Sequence, residues 1–201
     1  MYEISEIYPA IQGESYHAGT PCTIVRMQGC NLRCSFCDTA YAQQPGLLEK
    51  WPLDDLLKKI EDKLTPSKVV LITGGEPLLQ DLKPLTENLL ARKIKIHLET
   101  NGSVDIKHLD TYFDHISMSP KQSRYATKLR KCDDLKLLYP WIHEDITYKN
   151  FSIYKTDSFI IQPIEDENYK QNLKEAEKYV LNTAKNGLRL GIQVHKILGA
   201  R

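Results

Sequence analysis

Lys68-Val69-Val70-Leu71-Ile72-Thr73-Gly74-Gly75-Glu76-Pro77 is an aliphatic run that ends in two glycines, a glutamate and a proline. An apolar run of this length that is bounded by turn residues predicts a buried strand. The following segment, 78–92, has helical spacing, with Leu82, Leu85 and Leu89 on one face. The sequence therefore predicts a strand, a Gly-Gly turn at its carboxyl end and a helix, which together are one unit of a parallel α/β sheet.

The same alternation of strand and helix extends along the chain in both directions. Further strands are predicted at Thr23–Met27, Ile94–Leu98, His115–Met118, Leu135–Tyr139, Ser158–Ile161 and Leu190–His195, and further helices at Leu53–Leu64 and Asn168–Lys185. We expect six or seven β–α units in a single domain over residues 1–201. An open doubly wound sheet and an incomplete (β/α) barrel both fit this pattern, and both bind ligands at the carboxyl ends of their strands.

The composition excludes some classes of partner. Basic residues number 27 and acidic residues 26, which gives a formal net charge of +1. This balance, without a long basic run, predicts no nucleic-acid partner. The chain has no apolar stretch of the roughly 20 residues that span a membrane and no secretory signal, so we expect a cytoplasmic protein without a membrane partner.

Short polar motifs follow most of the predicted strands. They are Gly29–Thr39, Thr73–Pro77, Glu99–Gly102, Ser119–Lys121, Gln162–Glu165 and His195–Lys196. The carboxyl ends of parallel strands meet at one edge of a sheet or barrel, so we expect these motifs to form a single site.

The first of these motifs carries three of the five cysteines, Cys30, Cys34 and Cys37, in a C-x₃-C-x₂-C pattern. Such crowding indicates metal or redox chemistry rather than disulfides. Three thiolates on one loop suit three irons of a [4Fe–4S] cluster and leave the fourth iron open. The alternative is a structural zinc site, which needs a fourth ligand. Cys22 and His17 are the nearest candidates, whereas Cys132 is expected to pack in the core.

The cysteine motif and Gly74-Gly75-Glu76-Pro77, each placed after a strand, resemble the radical S-adenosylmethionine (SAM) superfamily. The resemblance implies that the open iron binds SAM, that the Gly-Gly-Glu-Pro segment lies near its methionine amino group, and that Phe36 lies against its adenine. Without the cysteines, Gly74–Pro77 would equally be a plain turn that opens a helix.

Further motifs narrow the resemblance to the 7-carboxy-7-deazaguanine synthase family, which acts in the pathway to queuosine and other deazapurines. They are Gln12-Gly13-Glu14-Ser15, Asp38-Thr39-Ala40-Tyr41, Glu99-Thr100-Asn101-Gly102, Ser119-Pro120-Lys121, Gln162-Pro163 and Gln193-Val194-His195-Lys196. The similarity runs from Ile11 to the C-terminus, although Ser15 stands where the family commonly has glycine and the terminal Arg201 also differs. The fold that we predict with it is the incomplete (β/α) barrel of parallel strands, with cluster and substrate at the carboxyl ends of the strands.

The resemblance implies roles for individual residues. SAM would contact Phe36, Cys37, Asp38, Gly74, Gly75, Glu76, Ser119, Pro120, Lys121, Gln162, Pro163, Ile164 and Glu165. The substrate would contact Ile11, Gln12, Gly13, Glu14, Arg26, Thr73, His195 and Arg201, and Thr39 would ligate Mg²⁺. The residues alone leave alternatives open: Thr39 as a helix cap, Lys121 as a solvated lysine, Glu99 as an ion-pair partner, and His195 as a packing residue. Asn101 follows the same predicted strand as Glu99, and both could contact the ribose of SAM or the substrate.

The implied reaction converts 6-carboxy-5,6,7,8-tetrahydropterin to 7-carboxy-7-deazaguanine by hydrogen abstraction from C6, ring contraction and loss of ammonia. A SAM-derived radical performs the abstraction, so no protein side chain is expected to be the catalyst. The resemblance also implies an electron donor such as flavodoxin or ferredoxin, and a homodimer. Two other functions stay open on the residues: an activating enzyme that places a glycyl radical on a partner protein, and a zinc-stabilised binding module.

Overall fold

The computed structural model describes residues 1–46, 48, 50–106, 110–123, 126–152, 154–183 and 187–199. Its strands are β1 Tyr2–Ile11, β2 Pro21–Met27, β3 Lys50–Trp51, β4 Val69–Gly74, β5 Lys95–Thr100, β6 His115–Met118, β7 Asp134–Tyr139, β8 Ser158–Pro163 and β9 Leu188–Leu190. Its helices are α1 Leu53–Asp62, α2 Lys83–Ala91, α3 Tyr148–Phe151, α4 Tyr169–Thr183 and α5 Val194–Ile197. Among the described residues, none of these helices has both the length and the apolar character needed to cross a bilayer.

All nine strands form one sheet in the order β3-β1-β2-β4-β5-β6-β7-β8-β9. Strand β2 and strands β4 to β9 run parallel, whereas β1 runs antiparallel to both of its neighbours. The sheet does not close, since β3 and β9 are its edges. In a flat sheet β1 and β8 would lie about 29 Å apart, at roughly 4.8 Å per step. Tyr8 of β1 and Gln162 of β8 nevertheless line one cavity, so the sheet curls into the predicted incomplete barrel.

Side chains alternate between the two faces of this curved sheet, as the period of a strand requires. In β7, Leu135 and Leu137 are fully buried in the main core on the outer face. Lys136 and Leu138 of the same strand point inward and line the cavity. The outer face packs against α1, α2 and α4, whose buried residues include Leu56, Leu57, Ile60, Leu85, Leu89 and Ala176. The helices thus stabilise the barrel, and the inner face provides the site.

The structure differs from the predicted elements at both ends of the chain. Strand β1 was not predicted, although Tyr2 and Ile4 alternate with polar residues, and Pro9 weakens the strand pattern. The predicted strand Leu190–His195 is instead the end of β9 followed by α5. The chain leaves the sheet because Val194 N donates to Gly13 O at 2.8 Å, which draws the segment over the cavity.

The connections are also less regular than six or seven β–α units. In the described part of the chain, only α1, α2 and α4 exceed eight residues. Strands β7 and β8 are joined through the four-residue helix α3. A 3₁₀ turn at Asp110–Tyr112 lies between β5 and β6. The predicted strands therefore indicated the fold more accurately than the predicted helices between them.

Candidate active site

A cavity of about 750 Å³ lies at the carboxyl ends of the parallel strands and extends along the inner face of the sheet. Most of the predicted site residues line it: Ile11, Gly13, Glu14, Arg26, Cys30, Cys34, Phe36, Cys37, Asp38, Thr39, Thr73, Gly74, Gly75, Ser119, Lys121, Gln162, Pro163, Ile164, Glu165 and His195. Gln12, Glu76 and Pro120 are buried and are not part of its lining. Arg201 lies outside the described residues. The structure thus brings together residues that are up to 184 positions apart in sequence, from Ile11 to His195.

The cysteine loop is held at its start by backbone hydrogen bonds. Gly29 N donates to Ala42 O at 2.8 Å, and Cys30 N donates to Gln43 O at 2.8 Å. These bonds close the loop that carries Cys30, Cys34 and Cys37, and all three thiols are free and half-buried. The loop therefore presents three sulfur ligands to one end of the cavity.

The Gly74–Gly75 turn packs directly behind this loop. Gly75 N donates to Met27 O at 3.1 Å, and Glu76 N donates to Gly29 O at 2.8 Å. A Cβ at Gly75 would lie 2.1 Å from Gly29 O, and one at Gly74 would lie 2.2 Å from Met27 O. Gly74 also has a φ of +138°, which L residues rarely adopt. Only glycine fits at both positions, so the pattern is required by the close approach of two backbones.

Glu76 lies behind the cavity wall. Its carboxylate accepts hydrogen bonds from Thr100 Oγ1 at 2.7 Å, Asn101 N at 2.7 Å and Leu78 N at 3.2 Å. Burial raises the pKa of Glu76, and these hydrogen bonds only partly oppose that effect. The side chain thus fixes the Gly74–Gly75 turn to the end of β5. Its contact with SAM stays a prediction, and the backbone of Gly74 and Gly75 faces the cavity.

Arg26 extends from β2 into the cavity, with a side chain that is 13% exposed. Its Nε donates to Glu6 Oε2 at 3.1 Å and its Nη2 donates to Tyr8 Oη at 3.4 Å. Tyr41 Oη also donates to Glu6 Oε2, at 2.8 Å. Sequence reasoning missed Glu6 and Tyr8 because it missed β1. These neighbours hold one edge of the guanidinium and aim it into the cavity.

A buried ion pair forms the opposite wall. Lys136 Nζ donates to Glu14 Oε2, and Gln193 Nε2 donates to Glu14 Oε1 at 2.5 Å. Burial alone would raise the pKa of Glu14, but the Lys136 ammonium lowers it to about 2. The same pairing keeps the pKa of Lys136 above its usual value in spite of burial. Lys136 was missed by sequence reasoning, although a single lysine in an apolar strand is a usable signal.

The structure decides two alternatives that the sequence left open. The Thr39 side chain makes no capping hydrogen bond to the 3₁₀ turn that follows it, and its Oγ1 lies 3.6 Å from Cys37 Sγ. Lys121 is not a solvated loop lysine, because it donates to Ser119 Oγ within the cavity. Burial and the nearby Lys136 lower the pKa of Lys121 to about 8.

His195, Glu99 and Asn101 also take defined places. A Cβ at Gly13 would lie 1.9 Å from His195 Nδ1, so Gly13 makes room for the imidazole at the cavity. Glu99 accepts from Thr73 Oγ1 at 2.9 Å. Asn101 Nδ2 donates to Asn31 Oδ1 at 3.2 Å, which links the end of β5 to the cysteine loop.

The donors at this site fit an iron–sulfur cluster better than a zinc ion. A closed structural zinc site needs four protein ligands, and the cysteine loop provides three thiols. A cubane needs only that each thiolate reaches a different iron. Cys22, one of the two candidates for a fourth zinc ligand, lies within β2 and is fully buried, and burial raises its pKa to about 12. Cys132 is packed as predicted, at 4% exposure.

Comparison with known proteins agrees with this geometry. A family model described as the radical SAM superfamily matches residues 24–133. The 7-carboxy-7-deazaguanine synthase of Buchnera aphidicola is 30% identical and aligns with 100% of this chain and 99% of its own. Those of Bacteroides thetaiotaomicron (30% identical, 100% of both chains) and Bradyrhizobium diazoefficiens (32% identical, 100% and 99%) match to a similar extent.

This chain belongs to the radical SAM superfamily and, within it, to the 7-carboxy-7-deazaguanine synthase family. The resemblance predicted from the motifs is thereby confirmed. The crystal structure of QueE from Escherichia coli has a TM-score of 0.74 to this chain at 22% identity, and covers 96% of this chain and 94% of its own. At that identity the similarity supports the fold. Full-length agreement with the synthases disfavours both the glycyl-radical activating enzyme and the zinc module.

Proposed function

We propose that this chain is a 7-carboxy-7-deazaguanine synthase that converts 6-carboxy-5,6,7,8-tetrahydropterin to 7-carboxy-7-deazaguanine. The observation that carries the proposal is the single cavity in which the cysteine loop faces the cation Arg26 and the anion Glu14. The substrate has a carboxylate at one end and a donor-rich pyrimidine edge at the other. A cavity with a positive group and a negative group on separate walls matches that polarity.

The cofactors of this enzyme are a [4Fe–4S] cluster, SAM and Mg²⁺. Cys30, Cys34 and Cys37 would hold the cluster, while the backbone of Gly74 and Gly75 would hold the amino-acid end of SAM. When bound, the cluster and SAM supply the chemistry that abstracts a hydrogen atom from the substrate. Phe36, Ser119, Lys121 and the segment Gln162–Glu165 line the rest of the cavity, as SAM contacts require.

Mg²⁺ would be held at Thr39. Its hydroxyl lies beside Cys37 and lacks a capping partner, so it is available as a ligand. Mg²⁺ usually takes few protein ligands and completes its shell with substrate and water. The ion would therefore bind together with the pterin, orient it, and stabilise negative charge during ring contraction.

The protein's own groups bind, orient and shield. Arg26 clamps the substrate carboxylate, and its contacts with Glu6 and Tyr8 limit its freedom to move. The segment with Gln193 and His195 covers the cavity by bonding to Glu14 and Gly13. Lys196 pairs with Glu165 across the same opening. Excluding water in this way strengthens the electrostatic contacts inside and protects reactive species.

The cellular setting follows from the same chemistry. All five cysteines are free, which is typical of a reducing compartment such as the cytoplasm. The electron donor is expected to be a small redox protein such as flavodoxin or ferredoxin, and the enzyme is expected to be a homodimer. Gel filtration with light scattering and reduction by purified flavodoxin are direct checks of these two points.

The test of the proposed function is an anaerobic assay with reductant, SAM, Mg²⁺ and the carboxytetrahydropterin, followed by mass spectrometry of the products. We expect 7-carboxy-7-deazaguanine and ammonia in equal amounts, and no product when SAM or reductant is omitted. Reductive cleavage of SAM without consumption of the pterin would identify a radical SAM enzyme with a different substrate.

A further inference from the structure

Lys136 has no part in the roles assigned above, although it forms a buried ion pair with the cavity residue Glu14. Their side chains are 10% and 17% exposed, and Lys136 lies in the middle of β7. Lys136 Nζ donates to one carboxylate oxygen of Glu14, and Gln193 Nε2 donates to the other. Two donors from different elements thus fix the plane of this carboxylate.

Folding stability alone does not account for a buried ion pair of this kind. Removing two charges from water is costly, and an apolar pair of similar size usually stabilises a fold as well or better. A carboxylate can accept about four hydrogen bonds. Lys136 and Gln193 occupy one site on each oxygen, which leaves each oxygen a further acceptor site. Since Glu14 lines the cavity, these sites are available to a ligand.

We propose that Lys136 is a positioning residue that keeps Glu14 ionised and aimed, so that Glu14 recognises the 2-amino-4-oxopyrimidine edge of the pterin. That edge presents two adjacent N–H donors, from N3 and the 2-amino group, which match the two oxygens of a carboxylate. Arg26 projects from β2, on another wall of the cavity, where it can take the carboxylate at the far end of the substrate. The inference rests on the proposed function and adds its specificity determinant.

The experiment compares two ligands in anaerobic calorimetric titrations of the cluster-loaded protein with SAM. One ligand is 6-carboxypterin, and the other is 6-carboxylumazine, in which an oxygen acceptor replaces the 2-amino donor. The wild type is expected to prefer the pterin by about 10–100-fold, the range for a hydrogen bond to a charged group. Lys136→Met and Glu14→Gln are each expected to abolish most of this preference, whereas Lys136→Arg keeps it. The exposed Lys131→Met is the matched control and is expected to behave as wild type.

The double variant Glu14→Gln/Lys136→Met decides how Lys136 acts and removes both charges together if Lys136→Met alone fails to fold. If Lys136 acts through Glu14, the double variant loses no more preference than Glu14→Gln alone. Additive losses would mean that Lys136 contacts the ligand directly and would overturn the inference. Equal weakening of both ligands and of SAM would show a structural role and would also overturn it. A wild type that binds SAM but neither pterin nor lumazine would overturn the proposed function itself, and the inference with it.

Discussion

At the scale of single residues, the site depends on a few polar side chains that the inner faces of apolar strands hold in place. Arg26 lies between Val25 and Met27 on β2, and the side chains of both neighbours are fully buried in the core on the opposite face of the sheet. The packing of these neighbours fixes the direction of the guanidinium, and Glu6 and Tyr8 fix its plane. A lysine cannot reproduce this planar, two-sided contact.

Arg26→Lys is therefore expected to weaken binding of 6-carboxypterin by roughly 1.5–3 kcal/mol, the worth of a charge-assisted contact. Cluster content and SAM affinity should stay at the wild-type values. Arg92→Lys, a partly exposed arginine that pairs with Glu61, is the matched control and should bind normally. Calorimetric titration measures the affinities for the pterin and for SAM, and iron and sulfide analysis measures the cluster content. An Arg26→Lys variant that loses the cluster but binds the pterin normally would show a structural role.

Thr39→Ala is expected to lower turnover and to blunt its response to added Mg²⁺, because one hydroxyl ligand is lost while SAM still binds. Thr39→Ser, which keeps the hydroxyl, should restore the response. The measurement is a magnesium titration of turnover under anaerobic conditions. Superimposable titration curves for wild type and Thr39→Ala would remove Thr39 from the magnesium site.

At the scale of elements, strand order and turns position the site, and the sequence showed these with different clarity. Strands β4 and β8 and the motifs after them could be predicted from the sequence, because strands buried on both faces are near-continuous apolar runs. Strand β1 and helix α5 could not be predicted, because tertiary contacts fix both of them. Val194 bonds to Gly13, a residue 181 positions earlier in the chain, and no local pattern encodes that contact.

The same distinction applies to the site residues. The cysteines, Gly74 and Gly75 stand in motifs whose spacing is set by local geometry, and the structure places all of them at the cavity. Glu6 and Lys136 lie on separate strands and come to line the same cavity only because the sheet curls. The hydrogen bonds of the Glu76 carboxylate to the end of β5 could not be predicted from its motif, because they join two strands.

Gly75→Ala tests the packing of the Gly74–Gly75 turn against the cysteine loop. The added methyl group would meet Gly29 O at 2.1 Å, so backbone must move, at a cost of about 1–3 kcal/mol for overpacking. We expect a lower melting temperature and weaker SAM binding. Gly19→Ala is the control, because its φ of +92° strains an alanine while nothing lies within 4 Å of the added methyl group; it should lower the melting temperature but bind SAM normally. Normal SAM affinity in Gly75→Ala would show that the turn does not shape the SAM site.

At the scale of the whole molecule, the barrel carries polar groups at both ends of its inner face. The end remote from the cysteines holds His17, His97 and His115, with ring centroids 4.4 to 5.5 Å apart. His115 Nε2 lies 2.8 Å from Asp134 Oδ2, and His97 Nδ1 lies 3.2 Å from Gln12 Oε1. This cluster joins the loop after β1 to β5, β6 and β7, and so helps to close the barrel.

The free energy of unfolding is expected to fall on acidification because of these three histidines. Burial and the neighbouring His17 and His115 lower the pKa of His97 to about 4, from an ordinary value of 6.5. The unfolded chain therefore binds a proton at His97 more readily than the folded one. This contribution is fully present above pH 6.5 and is lost as the pH falls toward 4, with a size on the order of 2–3 kcal/mol.

This effect is measured by denaturant unfolding, between pH 7 and pH 4.5, of the protein without its [4Fe–4S] cluster. His97→Gln should flatten the dependence, whereas the exposed His143→Gln should leave it unchanged. An identical pH dependence in wild type and His97→Gln would mean that other groups cause the acid sensitivity.

The proposed function depends above all on a [4Fe–4S] cluster held by the loop of Cys30, Cys34 and Cys37 at the mouth of the substrate cavity. Iron and sulfide analysis of anaerobically reconstituted wild type and cysteine variants tests it most directly. We expect about four irons and four sulfides per chain, with the brown chromophore lost in Cys30→Ala, Cys34→Ala and Cys37→Ala and kept in Cys22→Ala and Cys132→Ala. One zinc per chain without sulfide, or a chromophore that survives all three loop substitutions, would contradict it.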